Sequence, residues 1–304
     1  MERTKQPGLL RRLYRRAVIA LAKPYIRREL PGWGRVYRCF VGGHTRDWFW
    51  AGEQERWIRG KLHGYEMSVR IGGWSNRGTF FLERFYDLPT QLLMKQVLRN
   101  GDIFVDVGAN EGMMTLLASH LVGPTGLVIS FEPNPVPRSI LERSIARNGI
   151  ATIELHASGL GDRRGELELF VPHVNSGEGS FTLPVDGSKG NCVRCPVRIG
   201  DGVIGDRKPR LIKIDVEGFE AHVLRGLIRT LEASKPVIVL EMIAGHLARD
   251  GQNPQQLCSW LAAQGYKGRH LTLRGRRALS LLPLPNEWQD GDYVFIHKDR
   301  SAGL

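Results

Sequence analysis

The chain has 304 residues, 42% hydrophobic and 24% charged, the balance of a globular protein with a sizeable core. No apolar run reaches the ~18–20 residues of a membrane span, and the early run Ala17–Ala22 is too short for a secretory signal core. A cytoplasmic location is expected. The formal net charge of +12 is uneven, because residues 1–40 hold eleven Lys or Arg against Glu2 and Glu29, a net of +9. Such a segment suits an anionic membrane face, which would place the protein at the inner membrane surface, or nucleic acid or an acidic partner. The plainer alternative is a solvated extension.

In chain order, residues 9–30 read as a basic amphipathic helix that Pro24 kinks or ends. Residues 31–80 are rich in Gly and Trp and read as a strand-and-loop cap, with the tryptophans as packing. Phe85–Leu98 reads as a helix, with Pro89 in its first turn. From there strand and helix alternate. Strands are expected at Ile103–Val107, Leu127–Phe131, Thr152–His156, Leu211–Ile214, Val237–Leu240 and Tyr293–His297. Helices are expected at Met113–Leu121, Ser139–Arg147, Phe219–Leu231 and Pro254–Gln264. Leu167–Val171 and Val197–Ile199 are expected to pair as an excursion at the sheet edge. This rhythm predicts an α/β fold, a doubly wound and mostly parallel sheet covered on both faces. The expected division is a basic extension over 1–45, a cap over 46–98 and a catalytic domain over 99–299.

The most informative stretch is Asp106-Val107-Gly108-Ala109-Asn110-Glu111-Gly112, where a buried strand ends in an acid and a glycine turn opens a helix. In an open α/β sheet the ligand lies beyond the carboxyl ends of the strands. A dinucleotide fingerprint needs G-x-G-x-x-G, and the order here is Gly108-x-x-x-Gly112 with two carboxylates that would repel a phosphate. S-adenosylmethionine (SAM) has an amino-acid tail, a cationic sulfur and no phosphate, so these charges favour SAM over a nicotinamide cofactor. The next strand ends in Glu132, placed to accept hydrogen bonds from both ribose hydroxyls. The plainer reading makes Asp106 a helix cap and Glu132 a surface charge.

Leu211–Ile214 repeats the pattern. Lys213 and Asp215 share one face of a strand, with Asp215 at its carboxyl end. Glu217 and Glu220 fall in the first turn of the next helix, where carboxylates are favoured. A further strand ends in Glu241, with His246 soon after. Asp215 is the first candidate for general base, followed by Glu241 and His246, with Lys213 tuning Asp215. Asp215 and Glu217 are candidate metal ligands, but no full ligand set is visible. Cys192 and Cys195 form a C-x-x-C without a second pair, so neither zinc nor redox chemistry is expected.

Asp106–Gly112, Phe131-Glu132-Pro133-Asn134-Pro135, and Ile212–Glu220 with Val223-Leu224-Arg225-Gly226 behind it together resemble the FkbM family of SAM-dependent methyltransferases, over roughly residues 80–245. The resemblance implies a seven-stranded sheet with a reversed last strand. It also implies O-methylation of a sugar, glycan or polyketide-like acceptor. It places the methionine part of SAM on Asp106, Gly108, Ala109, Asn110 and Gly112, the ribose on Glu132 and the adenine near Ala157, Ser158 or Asp162. In place of the family's usual Leu-Asp-Asp-like segment the chain has Arg198-Ile199-Gly200-Asp201-Gly202, so no role carries over to Asp201. An RNA methyltransferase is the runner-up, although no RNA-binding signature accompanies the basic N-terminus. A non-catalytic, membrane-associated SAM-binding module is the third reading.

Overall fold

Leu211-Ile212-Lys213-Ile214 is buried from end to end, as a strand covered on both faces must be. The same holds for most of Ile103–Val107, Leu127–Phe131 and Val237–Met242. The computed structural model describes residues 8–53, 55–172, 179–182, 190–275 and 278–300. The first seven residues of the basic extension therefore lie outside the described residues. The chain divides into two units, one ending at Tyr86 and the other beginning at Asp87.

The first unit contains α1 (Leu9–Arg27), α2 (Trp33–Val36), α3 (Asp47–Trp50), β1 (Glu55–Arg59), β2 (Glu66–Arg70) and α4 (Trp74–Leu82). β1 and β2 form an antiparallel pair. Trp50, Met67, Val69, Ile71 and Phe81 make its interior. Two arginines are buried with them. Arg15 pairs with Glu53 at 2.7 Å, and Arg77 donates to Asp47 at 2.8 Å and to the Gly43 carbonyl at 2.8 Å. Pro24 lies inside α1 instead of ending it. Its ring is on the exposed side, where water can satisfy the carbonyl it leaves unpaired.

The second unit begins with α5 (Leu88–Val97), β3 (Ile103–Val107), α6 (Met113–Val122), β4 (Leu127–Phe131), α7 (Pro135–Asn148) and β5 (Ile153–His156). Next come β6 (Gly159–Gly161), β7 (Gly165–Pro172), β8 (Gly190–Ile199), α8 (Gly200–Ile204) and β9 (Leu211–Ile214). It closes with α9 (Glu220–Arg225), α10 (Ile228–Ser234), β10 (Val237–Met242), α11 (Ala244–Ala248), α12 (Pro254–Ala263), β11 (Tyr266–Arg274), β12 (Ala278–Leu282) and β13 (Gly291–His297). The main sheet has the order β12-β11-β13-β10-β9-β3-β4-β5. β5, β4, β3, β9 and β10 run parallel, and β13 enters antiparallel between β10 and β11. The doubly wound α/β fold with its reversed last strand is therefore present. The expected seven strands are eight, because β12 folds back on β11 as a hairpin arm. β7 and β8 do pair, but in a separate three-stranded sheet with β6.

Two boundaries differ for local reasons. α7 starts at Pro135, because Asn134 caps it by accepting from the Val136 amide at 3.1 Å and Pro135 fits a first helical position. The expected helix 219–231 breaks at Gly226, where a Cβ would stand 2.1 Å from the Gly161 carbonyl oxygen. Cys192 and Cys195 lie on β8, where a separation of three puts them on opposite faces. Cys192 is exposed and Cys195 buried.

Candidate active site

β3 brings Asp106 to the carboxyl end of the sheet, buried beside Lys213 of β9 in register. One Asp106 oxygen accepts from Thr115 of α6 at 2.6 Å, and Oδ1 finds no hydrogen-bond partner among the described residues. Burial pushes this carboxyl above its usual range, while Lys213 pulls it back. Gly108 and Gly112 have φ of +86° and +89°, and Asn110 a φ of +51°, so the loop is a left-handed turn that glycine favours. Gly108 also allows a close approach, since a Cβ there would stand 1.9 Å from the Asp215 carbonyl oxygen. The Phe131 carbonyl accepts from the Gly108 and Ala109 amides, both at 3.0 Å.

Glu132 is buried, not a surface charge. Its two oxygens accept from the Asn110 amide at 2.7 Å and the Asn134 amide at 2.8 Å, so it ties the glycine loop to the turn after β4. Burial raises its pKa to about 7, against the pull of those amides. Ser158, just beyond β5, is buried, and its hydroxyl finds no partner among the described residues. Asp162 is engaged elsewhere, with His222 at 3.1 Å and Arg225 at 3.0 Å. Asp201 is also structural, holding the Arg229 and Thr230 amides at the start of α10 at 3.0 and 2.9 Å.

A second cluster lies at the ends of β9 and β10. Lys213 is buried and pairs with Asp215 at 2.8 Å. Burial alone would depress the Lys213 ammonium, but Asp215 and Asp106 outweigh it and hold it charged. Burial works against ionised Asp215 as well, yet Lys213 keeps its carboxyl below the usual range. Glu241 feels the opposite: the Asp215 charge first and burial second push it well up, so of the two carboxyls it is the easier to protonate. Across the β10–β13 register Glu241 faces Asp292, which accepts from Thr90 of α5 at 2.7 Å. Asp87, just before α5, is driven upward by burial and then by Asp292.

His246 donates through Nδ1 to Glu217 at 2.7 Å, a contact that raises the pKa of the ring. Two backbone features bring the pair together. Glu217 itself has φ +57°, and Gly218 has φ +107° with its missing Cβ only 2.4 Å from the His246 carbonyl oxygen. Glu220 stitches this turn by accepting from the Gly218 amide at 3.1 Å and the Val216 amide at 3.3 Å, and burial lifts its pKa to about 7. Asp215, Glu217 and Glu241 each offer an oxygen within 4.8 Å of the others, a grouping that could hold a cation. Only the first two are visible as candidate ligands in the sequence.

Asp106, the glycine loop and Glu132 form one cluster, and Lys213, Asp215, Glu217, Glu241 and His246 form a second, joined where Gly108 packs on the Asp215 backbone carbonyl. The sequence reading missed Thr115, Thr90, Asp87 and Asp292, and it missed Glu217 as the partner of His246. Thr115 had a signal, as the one polar residue in the apolar run Met113-Met114-Thr115-Leu116-Leu117. Asp292 had none until the antiparallel register was known.

The profile of the methyltransferase FkbM domain matches residues 106–267, more than half of the chain. The chain belongs to the FkbM methyltransferase family. Among relatives, it is 30% identical over 156 residues to the hexuronic acid methyltransferase AglP of Haloferax volcanii, covering 50% of this chain and 61% of that one. It is 48% identical over 54 residues to the 31-O-demethyl-FK506 methyltransferase FkbM of Streptomyces tacrolimicus, covering 18% of this chain and 20% of that one. The chain thus spans less than two thirds of the length of these relatives. The crystal structure of a methyltransferase FkbM from Methylobacillus flagellatus matches with 20% identity and a TM-score of 0.42, over 73% of this chain and 54% of that one. None of the described helices of this FkbM-family chain is long and apolar enough to cross a membrane.

Proposed function

We propose that this FkbM-family protein is a SAM-dependent O-methyltransferase acting on a hydroxyl of a sugar, glycan or polyketide-like acceptor, with His246 as general base. The observation that carries this reading is the Glu217–His246 pair, held in a left-handed turn just after Asp215, against whose backbone carbonyl the glycine loop packs. The relatives that methylate a hexuronic acid and a demethylated FK506 by name support the acceptor class.

The buried groups fit SAM. Asp106 Oδ1 and the Ser158 hydroxyl are polar atoms shut off from water with no protein partner among the described residues, and the buried cation beside Asp106, Lys213, is already paired with Asp215. Asp106 would hold the ammonium of the methionine part together with the backbone of Gly108, Ala109, Asn110 and Gly112. Glu132 would hold the ribose through the lone pairs its two amide contacts leave over, and Ser158 would meet the base. When bound, SAM supplies an electrophilic methyl group.

With Nδ1–H committed to Glu217, the Nε2 lone pair of His246 is available to take the acceptor's hydroxyl proton as the new C–O bond forms. Glu217 fixes the ring and stabilises the imidazolium that results. Asp215 is the weaker base, because its bond to Lys213 lowers its basicity, and it serves instead as a fixed hydrogen-bond acceptor that orients the hydroxyl. Glu241, protonated, can donate to an acceptor oxygen. Positioning of this kind accounts for a large part of the rate in displacement at a pre-activated carbon.

The test is transfer of labelled methyl from SAM to hexuronic-acid glycans, lipid-linked sugars and polyketide alcohols. The wild type should label one class on oxygen, and His246→Ala should lose about 10²–10⁴ in kcat while still binding SAM. SAM binding without labelling of any hydroxyl would contradict the enzyme and favour a binding module. Label appearing in RNA instead would move the assignment to the runner-up.

A further inference from the structure

The helix α1 has two apolar faces. Arg15, Val18, Ala22 and Ile26 form the face buried within the first unit. Leu10, Leu13, Ala17, Leu21 and Pro24 form a second stripe on the opposite side, and all of them are exposed. Leu10 is 83% exposed and Leu21 79%, far more than a leucine on an ordinary helix surface needs to be. The stripe continues through Tyr14, whose hydroxyl donates to the Phe40 carbonyl at 3.4 Å, to the exposed Phe40 ring. Trp48, 68% exposed, stands at the same end of the helix, with the Arg11 guanidinium 5.6 Å from its ring centre.

The flank of this stripe is basic. Arg12 and Arg16 are exposed one turn apart, followed along the same line by Lys23 and Arg27, which share the single carboxylate of Glu83. Arg28, just past the helix, and Arg35 and Arg38 add further exposed charge to the first unit. An outward apolar band with aromatic rings at its margin and arginines along one side is the composition of a helix lying in a bilayer interface. Arginine stems can lie along the apolar surface while their heads reach lipid phosphates.

We propose that the outer face of α1, with Tyr14, Phe40 and Trp48, docks this protein on an anionic lipid bilayer surface. A second copy of the chain fits the face poorly, because a two-fold contact would bring the arginine flank against itself. Nucleic acid would engage the arginines but leave the leucine stripe in water, since phosphate contacts need no apolar partner.

The full-length protein is tested by sedimentation with phosphatidylcholine vesicles, with and without phosphatidylglycerol. The wild type is expected to pellet with the anionic vesicles, to stay in solution with the neutral ones and to be released by salt. Leu13→Ser/Leu21→Ser and Arg12→Glu/Arg16→Glu should each need more than about tenfold more lipid for half-binding. Leu13→Ser/Leu21→Ser should melt at the wild-type temperature, since both leucines lie on the outside. Failure of the wild type to bind anionic vesicles overturns the proposal whatever the variants do. Wild-type binding by both double variants overturns its assignment to α1. Binding of an RNA oligomer with vesicles ignored overturns it in favour of a polyanion partner.

Discussion

His246 gains its proposed role from one contact, and that contact sets a pH signature. The Glu217 carboxylate raises the pKa of the ring, and the reactive form is the neutral imidazole. Activity should therefore rise with pH through the His246 pKa. Glu217→Gln removes the charge that holds the proton, so the rise in kcat/KM should move to lower pH while the plateau falls. A profile left in place by Glu217→Gln would contradict the pairing. Glu132 makes a second prediction. Its carboxyl titrates near 7 and must be ionised to accept from the ribose hydroxyls. SAM affinity should weaken as pH falls from 8 to 6, by up to about tenfold per unit below the pKa. Glu132→Gln should bind weakly and without that dependence, as titration calorimetry at several pH values would read.

At the scale of elements, the turn between β9 and α9 is the most demanding piece of backbone. Glu220 supports it from inside, and its carboxyl, near 4.5 when unfolded, rises to about 7 on burial. A carboxyl raised in this way is best tolerated protonated, so its contribution to stability is intact below the unfolded pKa and is lost as pH rises through 7. Glu220→Gln keeps the acceptor oxygen that holds the Val216 and Gly218 amides. Relative to wild type it should gain up to about 3 kcal/mol of stability between pH 5 and 8. Chemical denaturation at both values would show the crossover. Gly108→Ala should lose on both counts, since its φ disfavours a side chain and the new Cβ would meet the Asp215 carbonyl. A fall in melting temperature together with weaker SAM binding is expected there.

The elements also show what kind of signal a sequence carries. Four of the five parallel strands, β3, β4, β9 and β10, were legible because each is a short apolar run ending at or next to an acid, and β3, β4 and β9 were placed to the residue. The hairpin of β11 and β12 was not. Lys267, Arg269 and Arg274 break the alternation of β11, as charges on strands near a sheet edge commonly do. The start of α7 was hidden by Pro135 and Pro137, which read as loop until the Asn134 cap is seen. The break at Gly226 depends on the Gly161 backbone, which no local pattern reveals.

At the scale of the whole molecule, the sheet converts distant segments into one site. Asp106, Glu132, Asp215 and Glu241 could be singled out because each ends a strand in the same direction, and the fold sends all those ends to one edge. Their division of labour could not be read in the same way. It depends on Lys213 choosing Asp215, on the Asp215 charge raising Glu241, and on Glu217 reaching His246, all of which arise only in the folded chain. The claim on which the rest depends is that the first cluster holds SAM. Titration calorimetry of the full-length protein with SAM, beside Asp106→Ala and Glu132→Ala, tests it most directly. The account predicts one-to-one binding by the wild type and lost or much weakened binding by both variants, with near-wild-type folding of each by circular dichroism. A folded wild type that ignores SAM, or variants that bind it as tightly as the wild type, would contradict it.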